Sequence, residues 1–328
     1  MERALASGSS GVGAKPRVPE RAERMERALA SGSSGVGAKP RVQDWIVGAR
    51  PRTLGAAVAP VLVGTAAAYA DVGDLSWVRA VLALVVALAL QIGVNYANDY
   101  SDGVRGTDKD RQGPVRLTAS GLATPRAVKG AAAIAFGIGA IAGLALAILV
   151  TPWLLLVGAA AIAAAVLYTG GPKPYGYLGL GEVMVLVFFG FVATAGSAFV
   201  QVERVPTAAW WGSLTVGLLA CAILVANNVR DITTDTASGK RTIAVRIGDS
   251  RARGLYVGCL VVAFVAVVPI ALEYPWALLA FLAVPLAVRP ALLVLRATEP
   301  PQLIAALVAT GRLELVAAGL LSVGLCLR

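Results

Sequence analysis

Two acid-bearing strings stand out in a chain otherwise poor in charge. The first runs Asn95-Tyr96-Ala97-Asn98-Asp99-Tyr100-Ser101-Asp102, with Asp108 a little further on. The second runs Asn227-Asn228-Val229-Arg230-Asp231-Ile232-Thr233-Thr234-Asp235. If each string closes a helix, Asn95, Asn98, Asp99 and Asp102 fall at i, i+3, i+4 and i+7. Asn228, Asp231 and Asp235 fall at i, i+3 and i+7, so each set lies along one face. Two such stripes facing one another repel unless a cation sits between them. The chain has no histidine, and its three cysteines, Cys221, Cys259 and Cys326, are scattered through apolar stretches. Imidazole catalysis and histidine metal sites are thereby excluded, and nothing suggests a zinc site. A ligand set made only of oxygen favours a hard cation such as Mg²⁺. Because Mg²⁺ held by few carboxylates completes its shell with water and substrate phosphates, the arrangement points to a phosphorylated substrate.

Asn and Asp also cap helices and shape turns. That accounts for Asp108, Asp110 and Asp249 as readily as a function does. It does not account for matching stripes at two distant helix ends, so Asp99, Asp102, Asp231 and Asp235 are the expected catalytic, cation-binding residues. Basic residues surround them: Arg105, Lys109, Arg111 and Arg116 in the first loop, Arg230, Lys240 and Arg241 in the second. Guanidinium and ammonium groups clamp phosphate oxygens. Lys173, the lone base of Gly170–Leu178, is a further candidate, and Glu182 reads equally as a cap or a site residue.

The elements that must hold these residues are apolar. Of 328 residues, 57% are hydrophobic and 15% charged, with a mean hydropathy of +0.74; soluble domains are nearer 45–50% apolar. Nine hydrophobic spans follow Gln43, over roughly 46–70, 77–98, 127–150, 152–169, 179–200, 209–229, 254–272, 275–296 and 311–327, with a weakly amphipathic piece at 302–310 expected at the interface. The fold class is therefore all-α and polytopic. The long polar loops, 99–126 and 230–253, follow spans two and six, so parity places both on the side where the chain begins. The 170–178 segment joins them. Counting Lys129, these loops hold 13 Lys or Arg, against Arg79, Arg204 and Arg328 opposite. The positive-inside rule then puts the N-terminus and all three loops in the cytoplasm.

The net charge of +10 reflects this asymmetry and a basic N-terminal stretch, and does not indicate nucleic acid. Residues 1–18 recur without change at 25–42. The Gly-, Ser- and Arg-rich segment 1–42 is expected to be disordered, and 43–328 to form the membrane domain.

Taken together, the strings resemble the UbiA superfamily of intramembrane prenyltransferases. Within it they resemble the group acting on 1,4-dihydroxy-2-naphthoate. The resemblance rests on Asn98-Asp-Tyr-Ser-Asp-Gly103, Gly113-Pro-Val-Arg-Leu-Thr-Ala-Ser-Gly121, Gly171-Pro-Lys-Pro-Tyr-Gly-Tyr-Leu-Gly-Leu-Gly-Glu182, Asn227-Asn-Val-Arg-Asp231 with Asp235, Gly239-Lys-Arg-Thr242 and Arg50-Pro-Arg-Thr53. It implies nine helices around a central cavity open to lipid. It also implies Mg²⁺-dependent transfer from a polyprenyl diphosphate to an aromatic acceptor, with loss of CO₂. Gly106 stands where the superfamily's first motif has a third acid, so Asp108 is the expected replacement ligand, and Asn228 takes the first acid position of the second motif. Asn95, Asn98, Arg116, Tyr168, Lys173, Asn228, Lys240 and Arg50 are the expected substrate contacts. Tyr96, Tyr100 and Tyr168 are candidates to shield an allylic cation. The alternatives are a related enzyme with another aromatic acceptor and an ion-coupled transporter. A transporter would place its acids nearer the bilayer midplane.

Overall fold

Long apolar runs with few charges have one low-energy arrangement in lipid, the hydrogen-bonded helix, and helices form almost all of the described residues. The computed structural model describes residues 40–106 and 116–327. Residues 1–39, 107–115 and 328 lie outside it, Asp108 and most of the duplicated segment among them. Eleven helical elements follow in order: α1 (Val42–Gly48), α2 (Gly55–Val72), α3 (Trp77–Arg105), α4 (Pro125–Leu149), α5 (Trp153–Leu167), α6 (Gly181–Val202), α7 (Thr207–Ala237), α8 (Ile243–Ile247), α9 (Asp249–Glu273), α10 (Pro275–Arg296) and α11 (Pro300–Leu327). Eight are long and apolar enough to cross a membrane; α5, at 15 residues, is the shorter ninth. The protein is a multi-pass membrane protein.

Local signals fix the ends. The Ser76 hydroxyl accepts from the Arg79 amide at the start of α3, and the Thr124 hydroxyl from the Ala127 amide at the start of α4, where Pro125 takes the first helical position. Those are favoured N-terminal arrangements. Gly106, at φ 73°, stops α3 in the left-handed conformation that glycine adopts without strain.

Three expected bounds are corrected. The first span is not continuous: Arg50, at φ 54° before Pro51, breaks it into α1 and α2. Residues 302–310 are not a separate interfacial piece, since α11 runs unbroken from Pro300. The acid strings close their helices, as the i, i+3, i+7 spacing requires, and the helices run past the expected span ends at 98 and 229. α3 continues to Arg105 and α7 to Ala237.

α7 is the most buried span and packs against α2, α6, α9 and α11. Its contact with α6 is backbone to backbone. A Cβ added at Gly217 would lie 2.8 Å from the Gly190 Cα. Here α6 adopts a π-helical stretch, Leu186–Ala195, a form that often marks functional sites. Seven helices, α2 to α7 and α11, line a central cavity of about 540 Å³, while none of its lining residues comes from α9 or α10. Within α11, Glu314 is wholly buried and neither of its carboxyl oxygens has a hydrogen-bond partner among the described residues.

Candidate active site

The cavity has two kinds of wall. At one end Asn98, Asp102, Arg116, Asn228, Arg230, Asp231, Asp235 and Lys240 supply polar groups. Further in, α3 to α6 offer Val86, Leu90, Leu146, Val157, Phe188, Phe189 and Val200. A charged end continuous with an apolar tunnel suits an amphiphile with an anionic head.

The polar end is assembled from the ends of α3 and α7 and from the 168–178 segment. Both acid motifs reach one point. Lys240 Nζ lies 3.8 Å from Asp102 Oδ1 and 4.0 Å from Asp235 Oδ1. The same ammonium sits over the Tyr177 ring, 4.6 Å from its centre. Tyr177 donates its hydroxyl to Asp102 Oδ1 at 2.9 Å. Burial and then the Asp102 charge push that hydroxyl above its ordinary pKa, so it remains a donor at neutral pH. Arg116 approaches Asp102 Oδ2 at 3.9 Å. Arg230 holds both Asp231 oxygens, at 2.7 and 2.6 Å, and reaches Asn227 Oδ1 at 2.8 Å.

Backbone and polar contacts lock the frame. Thr169 donates its hydroxyl to Asn98 Oδ1 at 2.7 Å. Arg105 donates to the carbonyls of Thr169 and Gly171, tying the end of α3 to the segment after α5. Asn228 Nδ2 donates to Glu182 Oε1 at 2.9 Å, so Glu182 orients a cavity residue from behind. Asn95 donates to Ala49 O and Thr53 Oγ1, at 2.9 and 3.0 Å, and Gln91 also donates to Thr53 Oγ1 at 3.0 Å. Arg50 and Tyr168 line the cavity as well.

Among the described residues, two expected site residues do not join this group. Asp99 is 1% exposed and absent from the lining. Its two oxygens accept from the amides of Leu117 and Thr118, each at 2.8 Å. Its charge is spent on holding the loop that carries Arg116. Lys173 is exposed and outside the lining. Asp108 lies outside the described residues. Of the expected tyrosines, Tyr168 lines the cavity but Tyr96 and Tyr100 do not. Tyr96 packs against Trp45 and donates to its carbonyl, and Tyr100 lies under Lys129. Tyr175 and Tyr177 take the cavity positions. Both stand in a short 3-10 turn, Tyr175–Leu178, too short for periodicity to mark them.

Among the described residues, no three acids converge as a ready-made metal cage. The donor chemistry nevertheless suits a hard cation. Asn98, Asp102, Asn228, Asp231 and Asp235 are all oxygen donors on one cavity wall, and one ammonium already stands between the two motifs.

Residues 57–320 match the model of the UbiA prenyltransferase family. Over 247 residues the chain is 56% identical to the 1,4-dihydroxy-2-naphthoate octaprenyltransferase of Mycobacterium tuberculosis, covering 75% of this chain and 84% of that one. Its fold is similar to the apo structure of a UbiA homolog from Aeropyrum pernix K1 (TM-score 0.62, 17% identity, 84% of this chain and 97% of that one). It is also similar to a UbiA homolog from Archaeoglobus fulgidus bound to GPP and Mg²⁺ (TM-score 0.58, 14% identity, 85% and 99%). With the family model covering most of the described chain, this protein belongs to the UbiA prenyltransferase family.

Proposed function

We propose that the chain transfers a polyprenyl group from a polyprenyl diphosphate to 1,4-dihydroxy-2-naphthoate, with release of diphosphate and CO₂. The product is demethylmenaquinone in its reduced, quinol form. The observation that carries this reading is the single cavity whose charged end is built from both acid motifs and whose remainder is apolar. The naphthoate acceptor rests on the 56% identical relative. An Mg²⁺-dependent diphosphate site rests on the donor set and on the Archaeoglobus fulgidus structure.

In this reading Asp102, Asp231 and Asp235, with Asn98 and Asn228, hold the cation. Bound Mg²⁺ supplies positive charge that offsets the charge developing on the departing diphosphate. Arg116, Arg230 and Lys240 bind diphosphate oxygens. The apolar wall from α3 to α6 receives the isoprenoid and keeps water from the allylic carbon. As the C–O bond breaks, its electron pair leaves with the diphosphate. An acceptor ring carbon then forms the new C–C bond, and the ring loses a proton there. The carboxylate departs as CO₂, its bonding pair taking up a proton. Tyr168, Tyr175 and Tyr177 face the allylic cation with aromatic rings. Asp99 and Glu182 position the loop and Asn228 and touch neither substrate. The site opens to the cytoplasmic face of the cell membrane.

The test is direct. Purified protein with Mg²⁺, a polyprenyl diphosphate and the naphthoate is expected to release diphosphate and form the prenylated quinol. Removing Mg²⁺, or substituting Asp102→Ala or Asp231→Ala, is expected to lower kcat by two orders of magnitude or more, about what loss of a key electrostatic group does. Full turnover by either variant overturns the mechanism. Preference for 4-hydroxybenzoate overturns the acceptor alone.

A further inference from the structure

Away from the active-site cavity, α10 and the start of α11 border an open hollow of about 500 Å³. Its polar lining is made of donors. Arg289 and Arg296 both lie on α10, seven positions apart, so they share a face about 10 Å apart along the axis. Neither guanidinium has an acidic partner or a hydrogen bond among the described residues, and both are exposed. Gln302 supplies the third polar group. Its Oε1 accepts from the amide of Thr298 at 2.9 Å and more weakly from that of Glu299 at 3.5 Å, which leaves its NH₂ as the free end. No acid lines the hollow.

The surroundings are the opposite in kind. Val288, next to Arg289, is 54% exposed and Leu292, between the two arginines, 42% exposed, both on a membrane-crossing helix. An arginine on a lipid-facing surface is costly unless it reaches an anion or the interface. Donor-only walls beside an exposed apolar strip match a molecule with an anionic head and hydrocarbon chains. Basic hollows between membrane helices recognise such headgroups.

We propose that this hollow binds an anionic phospholipid. Arg289 and Arg296 clamp the phosphate, Gln302 donates to it, and the acyl chains run along Val288 and Leu292. The site is separate from the prenyl-transfer cavity and does not depend on the activity assigned to it.

Delipidated full-length protein in detergent, titrated with phosphatidylglycerol and followed by native mass spectrometry, tests this. Wild type is expected to retain one phosphatidylglycerol. The Arg289→Gln/Arg296→Gln variant should bind it roughly tenfold more weakly or worse. A control variant, Arg126→Gln/Arg251→Gln, removes two exposed charges elsewhere and should bind as wild type does, with both variants melting close to wild type. Phosphatidylcholine should bind far more weakly, and millimolar inorganic phosphate should leave the lipid in place. Equal loss in the two variants, equal binding of the two lipids, or displacement by inorganic phosphate would each overturn the proposal.

Discussion

Asn98 and Asp99 adjoin in sequence and face different tasks. At about 100° per residue, Asn98 and Asp102 point within about 40° of one another, whereas Asp99 is turned about 100° from Asn98. The stripe read from the sequence is real, but it is broad enough to divide. Asn98 and Asp102 take the cavity side, and Asp99 takes the amides of Leu117 and Thr118. Nothing in the spacing reveals that division, because it depends on where the following loop returns. If Asp99 acts only through the loop, Asp99→Asn weakens the hold on Arg116 without touching the cation. The expected result is a raised KM for the polyprenyl diphosphate and an unchanged Mg²⁺ half-saturation. Asp102→Asn is expected to shift the Mg²⁺ requirement itself. Combining Asp99→Asn with Arg116→Gln should add little to either alone, since both disable one contact. A shifted Mg²⁺ titration for Asp99→Asn would return that residue to the cation.

At the scale of elements, what was legible follows from which forces are local. Hydrophobic length marked the spans, and i, i+3, i+7 spacing marked the acid faces, because both depend only on neighbouring residues. The break at Arg50, the π-helical stretch of α6 and the cavity positions of Tyr175 and Tyr177 depend on distant packing, so periodicity passed over them. The α6–α7 crossing shows how close that packing is. With Gly190 and Gly217 nearly in contact, Gly217→Val forces the helices apart along the cavity wall. The expected cost is roughly 1–3 kcal/mol of stability, read as a lower melting temperature in detergent, with activity reduced as Phe188 and Phe189 shift. Glu314 makes the opposite case. Its unpartnered oxygens have lost water and gained no hydrogen bond in return. Glu314→Leu, similar in size and apolar, is expected to raise the melting temperature, consistent with the roughly 1–3 kcal/mol that an unsatisfied buried group costs. A fall instead would show that the carboxyl has an ion or proton-carrying partner.

For the molecule as a whole, the two ends of the bundle differ in charge as well as in chemistry. The end bearing Asp102 and Asp235 carries Arg105, Arg116, Lys240, Arg241, Arg246 and Arg253. At the other end, Arg204 pairs with Asp71 at 2.5 Å and Arg79 with Glu203 at 3.4 Å. With Asp74 and Glu273 there as well, the far end holds more acids than bases among the described residues, which sharpens the asymmetry counted from sequence. Since positive loops stay in the cytoplasm, the acid motifs are expected there too. Single cysteines in a background lacking the exposed Cys326 test this. In intact cells a membrane-impermeant maleimide should label Asp74→Cys, in the exposed turn between α2 and α3, and should leave Ser238→Cys, beyond α7, unlabelled until the membrane is opened. The reverse pattern would place the charged mouth of the cavity outside the cell. The positive-inside argument would then fail for this chain, although the fold and the pairing of the two motifs would stand.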